Sequence, residues 1–215
     1  MERIKSILAK KAPMKWLFTG DSITQGSLHC GGFKNYTEIF SERIRDEMGR
    51  KLDLILNSAI SGNTTVDILN DFDWRVKEFN PNVAFLMIGM NDCCIERNVS
   101  IRDFEKNLEL LITKFCENDI LPVLQTCPPL IYGVAPGREE GFDNYMSIVK
   151  KLANSYKLPF VDHIPSWLEY KEKSFLLMSD AIHPNQYGHI KIAHNIFKEF
   201  GIFCKDSNTC KLFYP

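Results

Sequence analysis

The chain lacks a surplus of either charge. Its 26 basic and 27 acidic side chains leave a formal net charge of −1 over 215 residues, so nothing draws it to nucleic-acid phosphates or anionic lipid. It also lacks the run of ~20 apolar residues that a membrane span needs, and its charged N-terminus has no apolar stretch of the kind found in signal peptides. We therefore predict a cytoplasmic protein with no nucleic-acid partner and no membrane span; the composition indicates no oligomeric state.

Metal-binding cysteine patterns are absent as well. Seven cysteines cannot all pair within one chain, and none stands in a C-x-x-C arrangement or beside a histidine cluster with zinc spacing. This usage is typical of reduced thiols in a reducing compartment. We predict no metal site, and we single out Cys204 and Cys210 as the one candidate disulfide.

Five short apolar runs, each rich in strand-forming residues, do stand out. They are continuous rather than alternating, which favours strands buried on both faces, as in a parallel sheet. Segments of helical length with apolar residues three and four apart lie between them. This alternation predicts a single α/β domain over residues 1–215, with three α/β/α layers and about five parallel strands. The runs are residues 15–20, 52–59, 83–89, 121–127 and 158–163.

Two of the predicted helices have clear ends. Ser100 is the predicted N-cap of a helix whose apolar stripe should pack in the core, and residues 190–200 form a predicted last helix that stops at Gly201. His189 and His194 are expected on that last helix as solvated surface histidines. The apolar stripe of the earlier helix consists of Phe104, Leu108, Leu111, Ile112 and Phe115.

Polar motifs follow the predicted strands, at the edge of the sheet where ligands bind. GDSITQG at residues 20–26 follows the first strand, NSAISGNT at 57–64 the second, and GMND at 89–92 the third. DAIHPN, at residues 180–185, stands ahead of the last helix. A serine, a glycine, an asparagine and an Asp–His pair are therefore expected on one rim.

These residues suit acyl transfer. The hydroxyl of Ser22 is a weak nucleophile until a base removes its proton, and His183 is the candidate base. Asp180 stands three residues earlier, near enough to orient that imidazole. The tetrahedral oxyanion needs fixed donors, which the Ser22 and Gly62 N–H groups and the Asn91 amide would supply. Each motif alone is ordinary turn chemistry, but their order after successive strands indicates a catalytic site.

The four motifs resemble the sequence blocks of the SGNH hydrolases, also called GDSL-type esterases and lipases. The blocks match at Ser22, Gly62, Asn91 and Asp180 with His183, and the resemblance covers residues 15–200. It implies a flavodoxin-like three-layer fold, no metal or organic cofactor, and hydrolysis of a small-molecule ester through an acyl-serine. By block, Ser22 is the implied nucleophile, His183 the base and Asp180 its orienting carboxylate, while Gly62 and Asn91 complete the oxyanion hole.

The chain departs from the family pattern at two minor positions. Ile23 replaces the leucine of the GDSL signature, and Ala59 stands where some members carry a glycine. Neither change removes a reacting group. Residues 201–215 form a C-terminal tail beyond the resemblance and have no assigned role.

Several residues near these motifs have alternative interpretations. Asp162 and His163 form a second acid–histidine pair, but adjacent residues of a strand point to opposite faces, so we expect them to be structural. His29, just past the serine motif, is a candidate for lining the substrate mouth. Asp21 and Asp92 flank predicted site residues and are expected to brace their loops through backbone hydrogen bonds.

The sequence also leaves more than one substrate and more than one function open. Residues 128–143 form a long Pro/Gly-containing loop, typical of loops that carry specificity; Tyr132 and Phe142 would contact an acyl or sugar group there, unless Phe142 only anchors the loop. We expect a short acyl group, such as acetyl on a carbohydrate, with a thioesterase or lysophospholipase as the alternative within the family. Outside it, the alternatives are a flavodoxin-like module that holds a phosphate at residues 20–26 and a non-catalytic interaction domain.

Overall fold

A parallel sheet enclosed by helices forms the centre of the computed structural model, which describes residues 2–215. Its strands are β1 (Lys15–Gly20), β2 (Leu54–Asn57), β3 (Val83–Met87), β4 (Leu121–Gln125) and β5 (Phe160–Val161). Over the described residues these five strands lie in the order β2-β1-β3-β4-β5, and every neighbouring pair is parallel. The predicted α/β fold with about five parallel strands is confirmed.

Helices cover both faces of the sheet. The α-helices are α1 (Glu2–Ala9), α2 (Ser22–Gln25), α3 (Tyr36–Glu42), α4 (Thr65–Asn70), α5 (Phe72–Arg75), α6 (Ile101–Glu117), α7 (Phe142–Ser155), α8 (Ile164–Leu168) and α9 (Gln186–Glu199). A π-helical turn (Arg43–Glu47) extends α3, and short 3-10 turns occur at Lys77–Phe79, Ile95–Arg97, Lys171–Leu177 and Thr209–Lys211. On one face α3 packs against α9, and on the other α6 packs against α4 and α7. Within residues 2–215, no helix has the length and apolar character to cross a bilayer.

The strand order explains which apolar runs are buried. β1, β3 and β4 each have a strand on both sides, and their side chains are buried throughout except at Lys15. β2 is an edge strand of exposed and half-buried residues, and Leu52, ahead of it, is exposed. The prediction that the run at residues 52–59 is buried on both faces is therefore wrong, because an edge strand has a neighbour on only one side.

The order of the strands also creates the crevice at which a site can form. From β1 the chain moves to β2 on one side of the sheet and then crosses back to β3 on the other. The loops after β1 and β3 therefore leave in opposite directions, and a crevice opens at the carboxyl ends of these two strands. The serine motif follows β1, and the GMND motif follows β3.

Aromatic and aliphatic side chains fill the two cores beside the sheet. Phe18 on β1 and Phe85 on β3 stack with ring centroids 4.3 Å apart, and Phe40 on α3 packs edge-on against both. On the opposite face, every residue of the predicted α6 stripe is buried. Ser100 caps α6 by accepting the Asp103 N–H at 3.1 Å. The predicted stripe and N-cap are both confirmed, and each buried large apolar side chain contributes about 1.5–3 kcal/mol.

The last helix begins earlier than the sequence predicted. α9 starts at Gln186 because Asn185 caps it, accepting the N–H groups of Tyr187 and Gly188 at 2.9 and 3.2 Å. It ends before Gly201, whose φ of +68° is the left-handed conformation that favours glycine. The predicted stop is confirmed, and the predicted start lies four residues too late.

The two histidines of α9 are buried, so the expectation of solvated surface histidines is wrong. His189 lies against α3, where its Nδ1 accepts the Tyr36 N–H at 3.3 Å. His194 lies under the C-terminal tail, where its Nε2 donates to the Thr209 carbonyl at 2.8 Å. α9 is covered on two sides rather than one, which the sequence pattern does not indicate.

The C-terminal tail packs along α9 rather than extending away from it. The Lys191 ammonium of α9 lies 4.6 Å from the ring centre of Tyr170 and 5.2 Å from that of Tyr214, contacts in the range of cation–π pairs. The Cys204 N–H donates to the sulfur of Cys210 at 3.3 Å, but both residues are free thiols. The candidate disulfide is therefore not formed.

Candidate active site

Ser22 lies at the carboxyl end of β1, where a tight turn leads into α2. Gly20 has a φ of +153°, and a Cβ at this position would collide with the carbonyl oxygen of Met87 on β3, so the turn requires glycine. Asp21 caps α2 by accepting the Ile23 N–H at 2.9 Å. Ser22 is thereby the first residue of α2 and is only 8% exposed.

A continuous hydrogen-bonded chain joins Ser22 to the Asp–His motif. Ser22 Oγ lies 2.8 Å from His183 Nε2, and His183 Nδ1 lies 2.8 Å from Asp180 Oδ2. The second carboxylate oxygen of Asp180 accepts the N–H groups of Ile182 and His183 at 2.9 and 2.8 Å. Partial burial acts to raise the pKa of Asp180, but the backbone donors and the His183 ring outweigh it and hold this pKa below its ordinary value.

The turn that carries this motif is fixed on both sides. The Ser179 N–H donates to the carbonyl of His183 at 2.8 Å, which closes the turn. Behind it, the Asn185 side-chain amide donates to the carbonyls of Leu176 and Met178 at 2.9 and 3.2 Å. The Asn185 side chain thus caps α9 with its oxygen and holds the preceding loop with its nitrogen, so the position of His183 is tied to a packed helix.

Gly62 occupies the third position of a β-turn after β2. The turn is closed by the Asn63 N–H, which donates to the Ile60 carbonyl at 3.3 Å, and Gly62 has a φ of +80°. This φ is the value that a type II turn requires at its third residue. Within residues 2–215 the Gly62 N–H takes part in no hydrogen bond, as is also true of the Ser22 N–H. Both donors remain available to a bound oxygen.

Asn91 lies after β3 and is tied to the loop that carries Gly62. Its amide nitrogen donates to the Asn63 carbonyl at 2.9 Å, which fixes the side chain and leaves its second N–H free to donate elsewhere. Ser22, Gly62 and Asn91 therefore belong to three loops at adjacent strand ends, and a hydrogen bond joins the last two loops directly.

Arg75 is a buried residue of this region that the sequence analysis missed. From α5 its guanidinium donates to the Ser58 carbonyl at 2.9 Å, to the Gly20 carbonyl at 3.3 Å and to the side-chain oxygen of Asn63. One side chain thus connects the turn ahead of Ser22 with the loop that carries Gly62. No motif surrounds Arg75 in the sequence, so no local signal indicates its role.

The two aspartates that flank the site residues brace their loops, as predicted. Asp92 accepts the N–H and the hydroxyl of Thr65 at 2.9 and 2.5 Å, and Asp21 caps α2. Burial raises the pKa of Asp21 to about 7, against the Ile23 hydrogen bond and together with the charge of Asp92. Burial also raises the pKa of Asp92 to about 6, although the Thr65 donors oppose it. These carboxyls carry less negative charge near neutral pH than ordinary aspartates, which reduces their repulsion of a nearby oxyanion.

The rival pair Asp162 and His163 does not form an acid–histidine contact. His163 is buried, with Nε2 3.1 Å from the Gln125 side-chain oxygen and Nδ1 3.2 Å from the Asn195 side-chain nitrogen. Burial lowers the pKa of His163 to about 3, so it stays neutral. Asp162 accepts the Thr126 hydroxyl at 3.2 Å and pairs with a lysine. Both residues have the structural role that the sequence analysis expected.

The loop at residues 128–143 borders the Asp–His turn. The Ile131 N–H donates to the Ala181 carbonyl at 2.8 Å, which ties the loop to that turn. Phe142 is fully buried at the start of α7, so it anchors the loop. Tyr132 is half exposed, and its hydroxyl donates to Asp143 at 3.1 Å. Of the two predicted contact residues, only Tyr132 is accessible to a ligand.

One group of side chains within residues 2–215 brings three metal-ligating atoms together, namely His29, Asp180 and His183. The two imidazole rings are stacked 3.6 Å apart and only 5° from parallel. A ring nitrogen binds a metal in the plane of its ring, and the planes of these two rings do not meet near Asp180. The arrangement therefore does not fit a metal ion held by both histidines.

Comparison with known proteins gives a family match and a related enzyme. The model of the GDSL-like lipase/acylhydrolase family matches residues 18–190. The acetylxylan esterase of Geobacillus stearothermophilus is 27% identical over 87% of this chain and 94% of that protein.

Solved structures show the same likeness. The crystal structure of an acetylxylan esterase from Geobacillus stearothermophilus aligns with a TM-score of 0.74 at 26% identity, over 87% of this chain and 94% of that one. The lipase/acylhydrolase from Enterococcus faecalis aligns with a TM-score of 0.77 at 25% identity, over 87% of this chain and 96% of that one. These matches extend across nearly the whole of the related chains.

Proposed function

The chain belongs to the GDSL-like lipase/acylhydrolase family and is an ester-bond hydrolase, and from this we propose that it is a serine esterase that removes acetyl or another short acyl group from a carbohydrate. Ser22 is the nucleophile, His183 the base and Asp180 the carboxylate that orients it. The observation that carries the assignment is the chain of two 2.8 Å hydrogen bonds from Ser22 Oγ through the imidazole to Asp180.

Acylation begins at the Ser22 hydroxyl. As Ser22 Oγ attacks the acyl carbon, its proton passes to Nε2 of His183, which becomes an imidazolium. Asp180 stabilises that cation through Nδ1, and its depressed pKa keeps it ionised while it does so. The tetrahedral intermediate then collapses, His183 returns the proton to the departing alcohol oxygen, and the acyl group stays on Ser22.

Deacylation uses the same residues in reverse order. A water molecule in the place of the departed alcohol gives a proton to Nε2 of His183 as its oxygen attacks the acyl carbon. Collapse of the second tetrahedral intermediate breaks the bond to Ser22 Oγ, which takes the proton back from the imidazolium. The products are the carboxylic acid and the free Ser22 hydroxyl.

Three donors serve the negative oxygen of both tetrahedral intermediates. They are the N–H groups of Ser22 and Gly62, which make no other hydrogen bond within residues 2–215, and the second amide N–H of Asn91. Each is fixed by its turn or by a hydrogen bond before substrate binds, which is the condition under which such donors lower a barrier. Arg75 supports this preorganisation, because its guanidinium binds both the turn ahead of Ser22 and the loop that carries Gly62.

The substrate class is supported by one relative and one accessible side chain. The Geobacillus stearothermophilus protein is an acetylxylan esterase. Tyr132 offers an exposed aromatic face on the loop tied to the Asp–His turn, and Asp180 itself is 45% exposed. A rim this open suits an alcohol such as a sugar that extends beyond the crevice, with an aromatic face to pack against it.

A substrate series tests the proposal. We expect kcat/KM to be highest for acetylated xylo-oligosaccharides and p-nitrophenyl acetate, and to fall as the acyl chain lengthens through butyrate to laurate. The measurement is initial rate by pH-stat on each ester under one set of conditions, with a lysophospholipid and an acyl thioester included. Faster turnover of either of the last two substrates would contradict the carbohydrate assignment and favour the family alternatives.

Metal removal should leave the activity unchanged. The stacked rings of His29 and His183 do not converge on a metal position, and no step above needs a Lewis acid, so we expect full activity on p-nitrophenyl acetate after dialysis against EDTA. The control is dialysis without chelator. Loss of activity that a particular divalent ion restores would show that the site has been misinterpreted.

Two further predictions from the sequence remain proposals. We infer that residues 1–215 form one domain, and that the protein acts in the cytoplasm. The second is supported by the odd number of cysteines and the lack of any C-x-x-C pair, a usage typical of proteins in reducing compartments.

A further inference from the structure

A second imidazole lies flat on the ring of His183. His29, in the loop after α2, stacks on it with ring centroids 3.6 Å apart and planes 5° from parallel. His29 Nδ1 lies 3.1 Å from Ser179 Oγ and 3.5 Å from Asp180 Oδ2. The same carboxylate oxygen of Asp180 is 2.8 Å from His183 Nδ1. Two histidines thus approach one oxygen of the orienting carboxylate.

We propose that His29 is a positioning residue for the His183 base and a second proton switch of the site, active when neutral and blocking when protonated. The inference rests on the proposed function, since it requires His183 to act as the base. It assigns a role in regulating the same reaction to a residue outside the four family motifs.

The positioning role follows from the geometry of the His183 ring. Hydrogen bonds to Ser22 and Asp180 hold the ring at its two nitrogens, but they leave it free to rock about the line that joins these atoms. A flat ring in contact with one face prevents that rocking. His29 is itself held, because its Nδ1 bonds to the hydroxyl of Ser179, the residue whose N–H closes the Asp–His turn.

The switching role follows from charge. When His183 takes the proton of Ser22, its ring becomes a cation 3.6 Å from His29. A neutral aromatic ring at that distance stabilises a cation, whereas a second imidazolium repels it. Protonated His29 would also draw Asp180 away from His183, because the carboxylate oxygen lies within 3.5 Å of its Nδ1. Protonation of His29 therefore raises the barrier to the first proton transfer.

His29 is neutral at ordinary pH. Partial burial and then the nearby His183 lower its pKa below the usual value of 6.5, against the opposing charge of Asp180. The other groups around it do not titrate in the mildly acidic range: burial lowers the pKa of His189 on α9 to about 3 and raises that of Cys30, next to it, to about 12. As the pH falls, His29 is therefore the group on this face of the His183 ring whose protonation changes the local charge.

The test is the acid limb of the pH profile of kcat/KM on p-nitrophenyl acetate, measured at an isosbestic wavelength of the product. In the wild type, log(kcat/KM) should fall with decreasing pH more steeply than the one unit per pH unit that a single base gives, because protonation of His29 adds a second step. His29→Phe keeps a flat ring but cannot protonate, so its limb should stay at one unit. The ratio of mutant to wild-type kcat/KM should then rise about tenfold per pH unit at the acid end.

A second variant separates positioning from charge. His29→Gln removes the ring while it keeps a polar group for Ser179, and we expect kcat at neutral pH to fall about tenfold with KM within about twofold, the loss of one aromatic stack. The neighbouring Leu28→Ala, at an 83% exposed position, should keep the wild-type slope. Circular dichroism at each pH confirms that the variants stay folded.

The outcomes distinguish this inference from the proposed function. Parallel wild-type and His29→Phe limbs, together with an unchanged kcat in His29→Gln, would overturn the role of His29 and leave the triad standing. Activity in Ser22→Ala would overturn the proposed function itself. If His29→Phe does not fold, Ser179→Ala takes its place: it should lose kcat about threefold at constant KM, and an unchanged kcat counts against the inference.

Discussion

Ser22→Ala should lose about 10⁴-fold or more in kcat on p-nitrophenyl acetate while its fold stays intact. The reason is that Ser22 Oγ is the atom that attacks the acyl carbon in the proposed mechanism, and no other hydroxyl in residues 2–215 bonds to the Nε2 of His183. The methyl group of alanine fits where the hydroxymethyl group of Ser22 lies, so the variant should keep the melting temperature of the wild type within a few degrees, about the effect of losing one hydrogen bond.

The matched control is Ser27→Ala, which removes an exposed serine from the loop after α2. We expect it to keep wild-type activity and to react with a fluorophosphonate probe at the wild-type rate, whereas Ser22→Ala should not react with the probe. Near-normal turnover by a folded Ser22→Ala variant would refute the assignment of the nucleophile and the mechanism that depends on it.

Asn91→Ala should lose roughly 10²- to 10³-fold in kcat, the cost of one oxyanion donor, with little change in KM. In the proposed mechanism its free amide N–H binds the substrate oxygen strongly only when that oxygen carries negative charge, so the expected loss is confined to the transition state. The N–H groups of Ser22 and Gly62 remain in the variant. Residual activity should therefore exceed that of Ser22→Ala, as measured by steady-state kinetics on the same ester.

The Asn91 amide also donates to the Asn63 carbonyl. Asn91→Ala therefore loosens the loop that carries Gly62 as well as removing the oxyanion donor, and the two effects must be separated. Asn63→Ala separates the two effects: it removes the side chain that Arg75 binds but keeps the main-chain carbonyl that Asn91 binds. We expect its kcat to fall by less than tenfold, about the contribution of one hydrogen bond. A rise in KM at constant kcat in Asn91→Ala would make Asn91 a substrate-binding residue instead.

The sequence predicts the fold wherever burial is complete. β1, β3 and β4 are continuous apolar runs because each is covered by strands and helices on all sides. The sequence predicts the fold less well at strands whose burial and length depend on their position in the sheet. β2 has an apolar run yet is half exposed, and β5 is reduced to Phe160–Val161, since both lie at the edges of the sheet. Whether a strand lies at the edge depends on the order of strands in the sheet, and a local sequence pattern does not indicate that order.

The candidate site divides in the same way. Ser22, Asp180 and His183 could be predicted because the chemistry demands those residue types and each stands in a recognisable motif. Arg75 could not be predicted, and His29 was predicted only as a candidate for lining the substrate mouth, since neither stands in a motif that indicates its distant partner. Arg75 reaches back to Gly20 across 55 residues, and His29 meets Ser179 across 150. Only the folded chain brings these pairs together.

The distance along the chain between Ser22 and His183, 161 residues, also has a consequence for folding. Contacts between distant segments form late, because closing a long loop costs chain entropy before any contact repays it. During synthesis Ser22 leaves the ribosome long before His183, its proposed base. If Ser22 depends on His183 as proposed, a nascent or partly folded chain holds an inert hydroxyl, and hydrolysis requires the turn that carries His183 to lie beside Ser22. Enzymatic activity recovered during refolding would accordingly report the placement of that turn rather than the formation of the sheet.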